Sequence, residues 1–184
     1  QQLFNLCGRE NLDVFLRFFE RLGQLGRCFS VWMKVTLPLG KPENLMPYIT
    51  QTAAGLRDQL SVFGGDYDTA DGTAIRDYIH VVDLAQAHIV ALQRLLNKQN
   101  KAQHEFFNLG SGKGYSVLEV IQSFEKTSGL KLNYEIVDRR TGDIASVYAD
   151  TQLSKQELNW QANMSLDDMT RTAWQWEKKL RNID

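Results

Sequence analysis

The 184-residue sequence has little of several features by which protein classes are recognised. Its two cysteines, Cys7 and Cys28, are too few for a disulfide framework and have no Cys or His neighbours at metal-ligand spacing. With 21 Lys and Arg against 22 Asp and Glu, the net charge of −1 provides no basic surface for nucleic acid or acidic lipid. No apolar run approaches the roughly 18 residues of a membrane span, and no secretory signal is visible. We therefore expect a cytoplasmic globular protein that binds neither nucleic acid nor membrane.

Three common catalytic motifs are also absent from the sequence. The glycine-spaced loop 110–114 would suit a dinucleotide, but G-x-G-x-x-G needs a third glycine where Tyr115 stands. This loop is therefore interpreted as a structural turn. No Ser or Cys has a catalytic partner visible by spacing, and no S-x-x-x-Y-x-x-x-K proton relay is present. The residue patterns by themselves do not define a reaction.

Strand-like and helix-like segments alternate after Pro38, which predicts the α/β class. Short extended runs predict strands at 60–63, 75–82, 105–109 and 130–137. The apolar residues of the last run alternate, which is typical of a half-buried strand. Capping residues and apolar stripes predict helices over 44–54, after Asp83, after Ser116, from Thr151 and after Ser165. The patterned part of the chain, 39–184, follows a less legible opening, 1–38.

A few side chains in this patterned part have the chemistry to hold a sugar nucleotide. Arg76 and Arg140 carry planar guanidinium groups suited to bidentate phosphate contact, although either could equally be a solvated or ion-paired arginine. Asp143 could accept hydrogen bonds from vicinal hydroxyls or simply belong to a turn. Phe63 could flank a flat base or fill the core, and Asn44 could donate to a phosphate or cap a helix.

From Leu39 to about residue 178, the chain resembles the carboxy-terminal part of the UDP-glucose 4-epimerases, members of the extended short-chain dehydrogenase/reductase family. The segments that carry the resemblance are KPENLMPYI, SVFGGDYDTADGTAIRDYIHVVDLAQAH, FNLGSGKGYSVLEVI, RRTGD and ELNW. They are collinear, and the region of resemblance covers about three quarters of the chain. The resemblance implies an α/β substrate-binding domain that holds a UDP-hexose over NAD, in an enzyme that interconverts UDP-glucose and UDP-galactose through a 4-keto intermediate.

Residue by residue, the resemblance assigns substrate contacts to Asn44 and Leu45; to Ser61, Val62 and Phe63 along the uracil; to Arg76 and Arg140 at the diphosphate; to Asp143 at the ribose; and to Val147 at the hexose. Family members restricted to unacetylated sugars resemble one another in carrying tyrosine at the position of Val147. The smaller valine predicts room beside C2 of the sugar and tolerance of UDP-N-acetylhexosamines. A core residue without a role in specificity is the alternative.

The sequence also departs from the family. It lacks the amino-terminal half that holds the G-x-x-G-x-x-G loop for NAD and the Tyr and Lys of the proton relay, so we expect no epimerisation by this chain alone. The opening 1–38 matches poorly, which suggests either a region read in a shifted frame or a divergent loop. The resemblance implies a homodimer for the full-length enzyme. The alternatives to a 4-epimerase segment are another nucleotide-sugar epimerase or dehydratase, or a non-catalytic UDP-sugar-binding remnant.

Overall fold

The computed structural model of the protein describes residue 42 and residues 44–183. The opening 1–38, with its two cysteines and the hypothesis of a shifted frame, lies outside the described residues. Five helices are described: α1 Leu45–Ala53, α2 Val81–Leu96, α3 Val117–Ser128, α4 Gln152–Leu158 and α5 Leu166–Arg181. Five strands are interspersed among them: β1 Leu60–Phe63, β2 Ile75–Asp77, β3 Gly114–Ser116, β4 Tyr134–Val137 and β5 Ser146–Val147. This order confirms the α/β class. No helix within the described ranges is long and apolar enough to cross a membrane.

The strands form two small sheets. In the first, β1 and β4 run parallel, with Phe63 opposite Val137 at their common end. In the second, β2 is central, antiparallel to β3 and parallel to β5, and places Arg76 opposite Val147. The segment 138–145 connects β4 of the first sheet to β5 of the second. Because the carboxyl ends of parallel strands meet at one edge of a sheet, the loops after β1 and β4 leave from the same edge.

Short-range capping explains where the two best-defined helices begin. The Ser116 hydroxyl accepts from the Glu119 N–H at 3.0 Å while the Glu119 carboxylate accepts from the Ser116 N–H at 2.8 Å, which completes the predicted capping box of α3. Ser165 and Asp168 form the same reciprocal pair at the start of α5. These two helices pack against each other and bring Phe124 edge-on to Trp174, with ring centroids 5.7 Å apart.

Two apolar clusters hold the elements together. The main core joins α1, β1, α3 and α5 through nine buried residues: Ile49, Leu60, Val62, Val120, Ile121, Phe124, Leu132, Leu166 and Met169. A smaller cluster under α2 and α4 contains Ala87, Phe107, Leu158 and Trp160. Burying one such side chain contributes roughly 1.5–3 kcal/mol, so the main core is the larger source of stability. It also supports β1, which ends at the candidate site.

Three of the predicted strands differ from the structure: 75–82 and 130–137 are shorter, and 105–109 is not a strand. Strand β2 ends at Asp77, and α2 begins at Val81 with His80, not Asp83, as its cap, because Nδ1 of His80 accepts from the Val82 N–H at 3.0 Å. Asp83 lies inside the first turn, where its carboxylate instead accepts the N–H groups of Asn163 and Met164 at 3.1 and 2.9 Å.

The predicted strand 130–137 is also shorter and more exposed than its pattern suggests. Only Tyr134–Val137 pairs with β1, and Tyr134 and Ile136 are 40% and 49% exposed. Leu132, just before the strand, is buried in the main core. The alternation therefore marks an extended segment, of which Leu132 is the residue buried in the main core.

Candidate functional site

Arg76, in the middle of β2, has a guanidinium group fixed by backbone carbonyls. Its Nη1 donates to the carbonyls of Ile75 at 2.8 Å and Ile144 at 2.7 Å. Its Nη2 lies 3.7 Å from Oδ1 of Asp143. The β2 strand thus presents one arginine against the segment that leads into β5.

Arg140 reaches the same carboxylate from the loop after β4. Its Nε donates to Oδ2 of Asp143 at 3.0 Å, and the Asp143 N–H closes the turn on the Arg140 carbonyl at 3.2 Å. The guanidinium carbon lies 4.7 Å from the ring centroid of Phe63, the last residue of β1. This is a cation–π contact on a ring that remains 37% exposed. Three elements from both sheets therefore meet at one point.

Four of the nine predicted site residues form this cluster, which we call the arginine–aspartate cluster: Phe63, Arg76, Arg140 and Asp143. Two guanidinium groups face one carboxylate, so the cluster carries an excess positive charge. The side chain of Asp143 is 20% exposed, whereas those of Arg76 and Arg140 are 30% and 60% exposed and keep unused donors. Such a cluster can bind a dianionic phosphate group beside an aromatic face.

Other predicted site residues border the cluster. Val147 lies in β5 directly opposite Arg76 in the strand register and is 38% exposed. Ser61 is an exposed residue of β1, and Val62 is 1% exposed with its side chain in the main core. The backbone of Val62, rather than its side chain, is therefore what β1 can offer to a ligand at that position.

Asn44 and Leu45 lie at the start of α1. Asn44 occupies the N-cap position with extended backbone, but its side chain makes no capping hydrogen bond. It is exposed, and Leu45 packs against the main core. Among the described residues, no hydrogen bond, ion pair or ring contact joins these two positions to the arginine–aspartate cluster. The capping alternative for the Asn44 side chain is therefore not realised.

The glycine-spaced loop does not fit the pyrophosphate of NAD. A dinucleotide cradle must offer free backbone N–H groups, yet those of Ser111 and Gly112 donate to the Asp77 carboxylate at 2.9 and 3.3 Å. A Cβ placed on Gly110 would lie 2.2 Å from Oδ2 of Asp77, so this glycine accommodates the carboxylate rather than a phosphate. The residues that the structure describes therefore offer no cofactor loop at this point.

Sequence reasoning missed Asp77. Its carboxylate also accepts the Ser111 hydroxyl at 2.6 Å and the Ala149 N–H at 3.1 Å. The available signal was indirect, because a loop of closely spaced glycines needs a nearby acceptor for its N–H groups. The adjoining Tyr78 is not a candidate base, because burial raises its pKa to about 12. The positive charge of Arg76 acts on this pKa in the opposite direction but has the smaller effect.

Arginines, a carboxylate and an aromatic ring that meet where the two sheets of an α/β domain join are groups that nucleotide-binding folds also present. A family model described as GDP-mannose 4,6 dehydratase matches residues 26–173. The chain belongs to this family of extended short-chain dehydrogenases/reductases.

Within this family, several proteins similar to the chain are named 4-epimerases. The chain is 51% identical over 167 residues to the UDP-glucose 4-epimerase of Homo sapiens. The aligned residues cover 90% of this chain and 46% of the human protein. The crystal structure of UDP-glucose 4-epimerase from Stenotrophomonas maltophila, with bound NAD and formylated UDP-arabinopyranose, has 50% identity and a TM-score of 0.75 over 80% of this chain and 43% of that one. The UDP-Glc/GlcNAc 4-epimerase of Campylobacter jejuni has 40% identity and a TM-score of 0.68 over 79% and 44% of the two chains.

These findings confirm the resemblance carried by the sequence motifs. The chain spans about half the length of the curated relatives that it matches. The family model begins at residue 26, inside the opening segment that the motifs left unmatched.

Proposed function

We propose that this chain binds a UDP-hexose and supplies the substrate-binding part of a UDP-glucose 4-epimerase. The observation that carries the proposal is the arginine–aspartate cluster, in a chain about half identical to proteins of that name. In this proposal the full enzyme interconverts UDP-glucose and UDP-galactose. The described residues bind and orient the nucleotide sugar.

Each part of the nucleotide has a matching group in the cluster. Arg76 and Arg140 bind the diphosphate, because guanidinium groups form paired, charge-assisted hydrogen bonds with phosphate oxygens. Asp143 accepts from the ribose hydroxyls, and the ring of Phe63 stacks on the uracil. In the structure, Arg140 pairs with Asp143 and lies against the Phe63 ring. Binding therefore exchanges these internal contacts for contacts with the ligand.

The uracil lies along β1 in this proposal, where Ser61 and the Val62 backbone continue the surface beside Phe63. Val147 in β5 faces the hexose, and Asn44 and Leu45 at the start of α1 make further contacts with the substrate. Because valine is smaller than tyrosine, the proposal includes UDP-N-acetylhexosamines as substrates. Val147→Tyr in the full-length enzyme should then lower turnover of UDP-N-acetylgalactosamine relative to UDP-galactose. Equal relative turnover would remove the role of Val147 in specificity.

The described part of the chain binds substrate but does not fit NAD at its glycine loop. We therefore expect the 184-residue chain alone to show no turnover of UDP-galactose in a coupled assay. The homodimer and the cytoplasmic location implied by the resemblance stay predictions.

Isothermal titration calorimetry on the 184-residue chain tests the proposal. We expect UDP to bind measurably and uridine, which lacks the diphosphate, to bind at least about ten-fold more weakly, since one charge-assisted hydrogen bond is worth about 1.5–3 kcal/mol. GDP serves as the matched nucleotide. Equal affinity for GDP and UDP would favour another nucleotide-sugar enzyme of the family. No binding of either, together with non-cooperative unfolding, would favour a non-functional remnant.

A further inference from the structure

The hydrogen-bonding capacity of the Asp77 carboxylate is used mainly by the protein itself. Oδ1 accepts the N–H and the hydroxyl of Ser111 at 2.9 and 2.6 Å, and Oδ2 accepts the N–H groups of Gly112 and Ala149 at 3.3 and 3.1 Å. An ionised carboxylate offers about four acceptor sites. Three of these sites accept backbone N–H groups, and the fourth faces the Ser111 hydroxyl, whose one proton is shared with the Lys113 carbonyl at 2.7 Å. The effect of Asp77 therefore passes mainly through the backbone that it holds.

One of the segments that it holds is the part of the chain that contains β5. The neighbouring Arg76 donates to the Ile144 carbonyl at 2.7 Å, at the beginning of this segment. Asp77 accepts from the Ala149 N–H at its end. Between these two points, β5 has only two residues paired with β2, and Val147 is one of them. The short strand is thus held by consecutive side chains at both ends.

The glycine loop, which Asp77 also holds, limits the movement of the segment further. A Cβ on Gly110 would lie 2.9 Å from Cβ of Ala149 as well as 2.2 Å from the Asp77 carboxylate, so the glycine loop is packed tightly against the end of the segment. The loop, the carboxylate and the chain after β5 form one unit. Since Tyr148 and Ile144 are 59% and 62% exposed, apolar packing among the described residues contributes little to holding the segment.

We propose that Asp77 is a positioning residue that fixes the 144–149 segment and thereby determines which hexose fits beside Val147. The proposal rests on the proposed function, because it needs Val147 to face the sugar. Without the Asp77 carboxylate, the segment gains freedom at its carboxyl end. A ligand with a bulky N-acetyl group benefits more from that freedom than a ligand with a hydroxyl group.

The test compares binding of UDP, UDP-glucose and UDP-N-acetylglucosamine by calorimetry to the 184-residue chain and its Asp77→Ala variant. We expect the ratio of the dissociation constants for the acetylated and plain sugars to fall by about three-fold or more, while the affinity for UDP changes by less than about two-fold. A ratio that rises or stays within about two-fold of the original overturns the proposal. If the unaltered chain binds no UDP, the proposed function itself has failed.

Two control variants separate positioning from general stability. Asp83→Ala removes another carboxylate that accepts two backbone N–H groups, but those belong to Asn163 and Met164. It should lower the melting temperature and leave the sugar ratio unchanged. Ala149→Pro keeps the Asp77 carboxylate and removes the N–H donor that ties the segment to it, although the proline ring also restricts the backbone at positions 148 and 149. It provides the test if Asp77→Ala does not fold. A changed ratio in Asp83→Ala, or an unchanged ratio in Ala149→Pro, contradicts the positioning role.

Discussion

Replacing Arg140 with alanine should weaken UDP binding by about five- to thirty-fold. A bidentate guanidinium–phosphate contact contributes about 3 kcal/mol. Part of this is offset, because without ligand Arg140 already pairs with Asp143 at 3.0 Å and lies 4.7 Å above the Phe63 ring. An exposed ion pair contributes about 0.2–1 kcal/mol and a cation–π contact about 0.5–1 kcal/mol. The difference leaves about 1–2 kcal/mol that the ligand gains from Arg140.

The adjacent Arg139 provides a matched control. Its Nε donates to Oδ1 of Asp66 at 2.6 Å and its guanidinium carbon lies 4.1 Å from the Tyr67 ring centroid, so it has the same kinds of partners as Arg140. It is not part of the arginine–aspartate cluster. Arg139→Ala removes the same charge one residue away and should change the UDP dissociation constant by less than about two-fold.

Titration calorimetry at one fixed ionic strength measures both variants, because the long-range part of the attraction is screened by salt. Equal losses for Arg139→Ala and Arg140→Ala would show that bulk positive charge attracts the nucleotide without a specific contact. No loss for Arg140→Ala would refute the assignment of the diphosphate to this cluster. Thermal unfolding of each variant checks that the fold is retained.

The remaining predictions concern stability. Glu105→Gln should destabilise the chain by about 1–3 kcal/mol at pH 7, because it leaves the buried Arg94 guanidinium without its bidentate partner at 2.8 and 2.9 Å. The hydrogen bond from Arg94 lowers the Glu105 pKa in the folded chain. The stability that this pair contributes is therefore fully present above the pKa of an ordinary glutamate, about 4.3, and is lost as the pH falls from there through the lowered pKa. The gap between variant and parent in urea unfolding should therefore narrow from pH 7 to pH 3, and a constant gap would contradict it. Gly64→Ala should cost more than Gly129→Ala: both glycines have positive φ, 81° and 73°, but only at Gly64 would the new Cβ meet Tyr67, at 2.3 Å. Equal urea midpoints for the two would show that backbone strain alone decides.

Local signals predicted the helices more reliably than the strands. The Ser116 and Ser165 caps interact with residues three positions away, so the sequence displays both partners together. Asp83 misled because its partners, Asn163 and Met164, lie 80 and 81 residues away. A free carboxylate near a helix start predicts a cap, and only the tertiary structure shows that the acid is engaged elsewhere.

At the candidate site, too, residues were recognised by side-chain type, whereas contacts between residues distant in sequence were not. The side-chain chemistry of Arg76, Arg140 and Asp143 was enough to single them out as suited to a sugar nucleotide, and the motif resemblance then gave each of them a role. Asp77 escaped notice because the N–H groups that it accepts lie 34, 35 and 72 residues further on. No short-range pattern distinguishes such an acid from a solvated one.

If the proposed function holds, the sharing of Asp143 by two arginines favours a nucleotide over a bare diphosphate. A ligand that offers only phosphate groups must compete with the Asp143 carboxylate for Arg76 and Arg140, and it leaves that carboxylate beside added negative charge. A ligand that also carries a ribose returns two hydroxyl donors to Asp143 when Arg140 turns to the phosphates, while Arg76 keeps its carbonyl contacts and offers its remaining donors. It likewise returns an aromatic face to Phe63 when Arg140 leaves the ring. Every internal contact that is broken then has a replacement, which is the condition for tight binding at a partly buried polar site.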